Sequence, residues 1–152
     1  MKNLYVTGLL AACILLTHPS TAQEPFPVKQ HLPRKPLMFS GFPEKSACSL
    51  AALQKIFSSR IAEHVTIQLQ NQLFAGEVIE KVQRSPVLLS INIRSTNFPG
   101  ALFNISMVTL PGKRTTITGR IINPQSGDVL LLSEENNQYY LLKQPQQFFM
   151  TE

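Results

Sequence analysis

The hydrophobic period of this chain changes at His64, and the change dictates what the chain can fold into. Before it, Leu50, Leu53, Phe57 and Ile61 recur at spacings of three and four, which is one stripe of a helix. After it, Val65, Ile67 and Leu69 alternate with Thr66, Gln68 and Gln70. The same two-residue period returns in Val87, Leu89, Ile91 and Ile93, and again in Phe103, Ile105 and Met107. A period of two sends alternate side chains to opposite faces of a strand, so one face of a sheet must be buried. Further strands are expected over residues 77–84, 114–122, 129–133, 139–143 and 148–150.

Turn-forming residues separate these runs: Phe74-Ala75-Gly76, Asn97 with Pro99-Gly100, Pro111-Gly112, residues 123–127, and Asn136-Asn137. The two asparagines suit the positive φ values of a tight hairpin. Short connections pair consecutive strands antiparallel. The expected fold is α+β, with one N-terminal amphipathic helix over residues 44–63. A curled antiparallel meander of seven to eight strands follows, as a small barrel-like or highly twisted sheet, because so many twisted strands do not stay flat. The helix is expected to cover one face or plug one end.

Two segments precede the helix. Residues 1–22 carry Lys2, an apolar run over residues 4–16, the breaker Pro19 and the small residues Ser20 and Ala22. This is the anatomy of a signal peptide, with cleavage expected after Ala22 and export to the periplasm or beyond. The run is shorter than the roughly 20 apolar residues a membrane span needs, so no stable membrane insertion of the mature chain is expected. Leu10-Ala11-Ala12-Cys13 has the residue types of a lipobox, which makes a lipoprotein acylated at Cys13 the minor alternative. Residues 23–43 read as a basic arm: Pro25, Pro27, Pro33, Pro36 and Pro43 exclude a helix or central strand, and Lys29, His31, Arg34 and Lys35 lie between them. Its last part, 37–42, is apolar enough to dock on the domain, while its beginning is expected to be mobile. Residues 44–152 form the single helix-plus-meander domain.

Chemistry is limited by scarcity. Past Ala22 the chain holds His31 and His64, Cys48 and Asp128 as its histidines, cysteine and aspartate. Asp128 follows Gly127, where local turn bonding is the expected role. Cys48 is expected near the start of the helix. His64 would then lie roughly 24 Å away at 1.5 Å per residue, too far for a nucleophile–base pair. Glu77 and Glu80, three apart in a strand, should face opposite sides. Neither a metal-ligand spacing nor a phosphate-cradling glycine pattern is present, and no cofactor is expected. The Asn104-Ile105-Ser106 sequon is read as chance. Thirteen Lys and Arg against nine Asp and Glu after residue 22 leave a modest, dispersed positive excess rather than a nucleic-acid stripe.

Tyr139-Tyr140 and Phe148-Phe149 are adjacent, so each pair must straddle its strand, with one member outside the main core. These residues and the basic Lys29, Arg34 and Lys35 are the candidate contacts for a protein or peptide partner. The expected function is an exported, non-enzymatic binding protein, a protease inhibitor being one concrete form. The alternatives are a thiol-dependent enzyme using Cys48, and a structural subunit of an envelope assembly. Nucleic acid is not an expected partner, and the oligomeric state is not legible.

Overall fold

The computed structural model describes residues 35–146. Their order is β1 (Lys45–Cys48), α1 (Leu50–Ser58), β2 (His64–Leu69), β3 (Gln72–Ser85), β4 (Leu88–Ser95), β5 (Leu102–Val108), β6 (Thr116–Ile122), β7 (Asp128–Glu135) and β8 (Gln138–Pro145). All strands form one antiparallel sheet in the order β1-β8-β7-β6-β5-β4-β3-β2. Strands β2 to β8 are therefore a meander, and β1 adds to its far edge. The sheet curls until β1 and β2 approach each other without a hydrogen-bonded ladder between them, which nearly closes a barrel.

Alternation explains which side is filled. Val65, Ile67 and Leu69 of β2, Ile91 and Ile93 of β4, and Phe103 and Ile105 of β5 are all buried. Their neighbours Thr66, Gln68, Asn92 and Asn104 face outward. Ile117 and Ile121, Leu130 and Leu132, and Tyr139 and Leu141 continue the same inner surface around the sheet.

The antiparallel order sorts the connections onto two ends. One end carries α1 with the links 86–87, 109–115 and 136–137; the other carries 70–71, 96–101 and 123–127, the chain before β1 and the residue after β8. Each end is plugged. At the first, Leu53, Ile56 and Phe57 of α1 are buried in the core. Lys81 of β3 fixes that plug by donating from Nζ to the carbonyls of Phe57 and Ser59 at 2.7 and 3.0 Å, where the C-terminal end of the helix dipole favours a cation. At the second, Phe39 and Phe42 are buried, and with Phe98, Phe74 and Phe103 they make a chain of edge-on, tilted and stacked rings at 5.4–6.5 Å.

Several sequence expectations need correction. Helix α1 starts at Leu50 rather than Glu44, because residues 45–48 are drawn onto the free edge of β8, with Ser46 paired to Leu141 and Cys48 to Tyr139. Phe74-Ala75-Gly76 is not a turn but lies inside the 14-residue β3; the reversal comes earlier, with Gln70 at φ 52°. Gly76 serves a close approach to β4, since a Cβ there would stand 2.6 Å from the Arg94 carbonyl oxygen. A bulge between Val78 and Glu80 puts Glu80 opposite Asn92 and leaves Glu77 opposite Arg94, so both acids share the outer face. Asn136 and Asn137 do take positive φ, at 51° and 66°, as the hairpin reading required.

Candidate functional site

The features of greatest interest gather at the end closed by Phe39 and Phe42. The link between β6 and β7 there grips the chain entering and the chain leaving the barrel. Gly127 donates its amide to the Pro36 carbonyl at 2.8 Å, and its own carbonyl accepts from the Gln146 amide at 2.8 Å. A Cβ on Gly127 would sit 2.8 Å from the Lys35 carbonyl oxygen, so only glycine allows this crossing. Ser126 donates from its hydroxyl to the Pro36 carbonyl at 3.2 Å, and Lys35 donates from Nζ to the Pro124 carbonyl at 2.7 Å.

Asp128 completes the grip. Its Oδ1 accepts from the Met38 amide and its Oδ2 from the Phe39 amide, both at 2.9 Å, and Oδ1 shares the single Ser126 hydroxyl proton with the Pro36 carbonyl. The carboxylate is buried, and its partners lie about 90 positions away in the chain. The expected local turn role is therefore incomplete: Asp128 is chiefly the anchor that orders the segment carrying Phe39.

Beside this latch runs a shallow groove. A cavity of about 240 Å³ is lined by Pro36, Leu37, Met38, Pro99, Asn123, Gln125 and Ser126. It adjoins a second of about 370 Å³ that shares Pro99, Asn123 and Gln125 and extends to Gly100 and Pro124. Asn123 holds the floor by donating to the Pro99 carbonyl at 3.0 Å and accepting from the Gln125 amide at 2.8 Å. Leu37 stands 60 % exposed at the rim. Prolines and aliphatic side chains next to the exposed Gln125 amide are a surface that can take an extended polypeptide.

The structure distributes the sequence-predicted residues unevenly. Lys35 lies at the groove, while Lys29, Arg34, Phe148 and Phe149 lie outside the described residues. Tyr139 is 1 % exposed and faces the core, where its hydroxyl accepts from the Ile117 amide at 3.2 Å, so it is removed from any contact surface. Tyr140 points outward as alternation requires, but it carries the Lys45 ammonium 4.0 Å above its ring and lies away from the groove. Sequence reasoning missed Asp128, Ser126 and Asn123. The one available signal was that the chain's single aspartate opens the strongly apolar run 129–132.

Cys48 ends β1 and immediately precedes Ser49, the N-cap of α1, so it lies near the helix start as expected. It is buried inside the barrel from β1, and desolvation pushes its thiol up to about 11, with a main-chain bond from Leu141 opposing weakly. Such a thiol is not an activated nucleophile. His64 is exposed at the start of β2, and His31 lies outside the described residues. Among the described residues no three His, Cys, Asp or Glu side chains cluster, and no helix is long and apolar enough to cross a membrane. Asn104 of the sequon donates to Asn92 Oδ1 at 2.6 Å within a half-buried row on the sheet. No family model, curated protein or solved structure matches this chain.

Proposed function

We propose that this chain is an exported, non-enzymatic binding protein that holds an extended segment of a partner polypeptide in the groove between residues 36–38, 99–100 and 123–126. One observation carries the reading: the groove lies beside Gly127, where the chain enters and leaves the described domain. In the sequence Arg34 immediately precedes Lys35, and Phe148 follows Gln146 by two residues. Lys35 and Gln146, which the described domain brings to this rim, are the chain neighbours of the arm and of the C-terminal aromatic pair, although they are far apart in sequence. Affinity would come from apolar contact with Leu37, Met38 and the prolines, and orientation from the exposed amide of Gln125.

The test is capture of a partner from the native envelope fraction by the chain starting at Gln23. Leu37→Asp, at an exposed rim position, is expected to lose the partner while keeping the wild-type melting temperature. Cys48→Ala is expected to keep it. Equal capture by Leu37→Asp would remove the groove from the interaction, and turnover of any substrate lost on replacing Cys48 would favour the thiol-enzyme alternative.

A further inference from the structure

Excess positive charge lies at the end opposite the groove, together with three of the five exposed large hydrophobic side chains of the described residues; the other two, Leu37 and Leu73, lie at the groove end. At the end plugged by α1 stand Lys55, Arg60, Arg84 and Lys113, and among the described residues no carboxylate pairs with any of them. The acids of that end are all engaged: Glu134 with Arg114, Glu135 with Lys45, and Glu63 accepting from the Arg60 amide. Elsewhere in the described domain Lys35, Arg94, Arg120 and Lys143 are matched in number by Glu44, Glu77, Glu80 and Asp128, while Lys81, on the carbonyls of Phe57 and Ser59, adds to the cations of the helix end. The net positive charge of the domain therefore resides at the helix end.

Large aliphatic side chains stand exposed at the same end: Ile61 at 62 %, Leu50 at 40 % and Leu110 at 40 %. They sit on the helix, the turn after it and the β5–β6 link, at protruding positions among the cations. Aliphatic tips ringed by unpaired cations fit a headgroup layer, where the apolar groups enter the acyl boundary and the cations rest on phosphates. Nucleic acid would call for aromatic stacking, and no Phe, Tyr or Trp accompanies these tips. We infer that the helix end of the barrel docks reversibly on an anionic membrane surface, which turns the groove toward the opposite side.

The chain from Gln23, free of the apolar stretch at residues 4–16, can be sedimented with phosphatidylcholine vesicles with or without about one-third phosphatidylglycerol. Binding is expected only to the anionic vesicles and should fall as added salt shortens the screening length. Lys55→Gln with Lys113→Gln should weaken it roughly 25-fold, from about fivefold per cation. The chain has no tryptophan, so Ile61→Trp supplies a single probe whose emission should shift to the blue on anionic vesicles. Equal binding to both vesicle types would overturn the inference. So would binding unchanged by the double substitution, the outcome expected if Lys29 and Arg34 were responsible. Absence of vesicle binding together with charge-dependent binding to polyglutamate would overturn it in favour of an acidic protein partner.

Discussion

Asp128 offers its two carboxylate oxygens to consecutive main-chain amides, those of Met38 and Phe39. Asp128→Ala would leave the buried Phe39 amide without a partner, at about 1–3 kcal/mol, while the Met38 amide keeps the Ser126 hydroxyl oxygen at 3.1 Å. Urea unfolding is expected to show a loss of about 1–3 kcal/mol, with Asp128→Asn intermediate because one oxygen survives. An unchanged midpoint would show that the carboxylate does not hold the segment. Cys48 gives a second test at this scale. Its folded pKa is raised from 9.0 to about 11, so the protonated thiol is favoured in the native state. The stabilisation is complete below pH 9 and is lost as pH rises towards 11, an effect of order 2–3 kcal/mol. Burial also raises Tyr139, helped by Glu134, so part of the alkaline loss belongs to that phenol. Cys48→Ala should flatten the slope between pH 9 and 11 but leave the Tyr139 share. If the two unfolding profiles run parallel, the thiol is not desolvated as described. Neither residue's role could be read locally, because what surrounds each comes from segments about 90 positions away.

At the level of elements, periodicity was informative where a run exceeded one turn or two pairs. Strands β2, β4 and β5 fall where their alternation placed them. Residues 45–48 did not, since Glu44, Ala47, Ala51 and Ala52 carry good helix propensity. What overrides it is the open edge of β8: Ser46 and Cys48 turn inward and Lys45 and Ala47 outward, an alternation too short to distinguish from a helix start. The bulge at Val78–Glu80 was equally hidden, because it reflects a mismatch between β3 and β4 rather than any residue of its own. The plugging helix depends on Lys81, whose two bonds satisfy carbonyls at its C-terminal end. Lys81→Met keeps the stem and removes the cation. It should cost about 1–2 kcal/mol and speed hydrogen exchange across residues 50–58 before the strands. Exchange that accelerates equally in β5 and α1 would mean that Lys81 supports the whole barrel instead.

On the scale of the whole molecule, the meander was legible and its second plug only in part. Five prolines made residues 23–43 read as an arm, and the apolar stretch 37–42 was expected at most to dock. Phe39 and Phe42 instead belong to the core itself, held by Asp128 and by rings from β3, β5 and the 96–101 link. The groove was not legible at all, since it is built from three loops that only the curled sheet brings together. The division between arm and domain can be located by truncation. A chain starting at Lys35 retains every bond of the Gly127 and Asp128 latch, so it is expected to melt within a few degrees of one starting at Gln23. A chain starting at Gly41 loses Phe39 and the Met38 and Phe39 amides that Asp128 holds. Removing a buried phenylalanine alone costs about 3–5 kcal/mol, a large share of the 5–15 kcal/mol that stabilises a typical domain. That chain should melt far lower or fail to fold. If partner capture disappears with the Lys35 chain while its melting temperature is kept, Lys29 and Arg34 supply the contact; if capture persists, the groove suffices. Equal melting of all three chains would show that the aromatic plug contributes nothing to the barrel it closes.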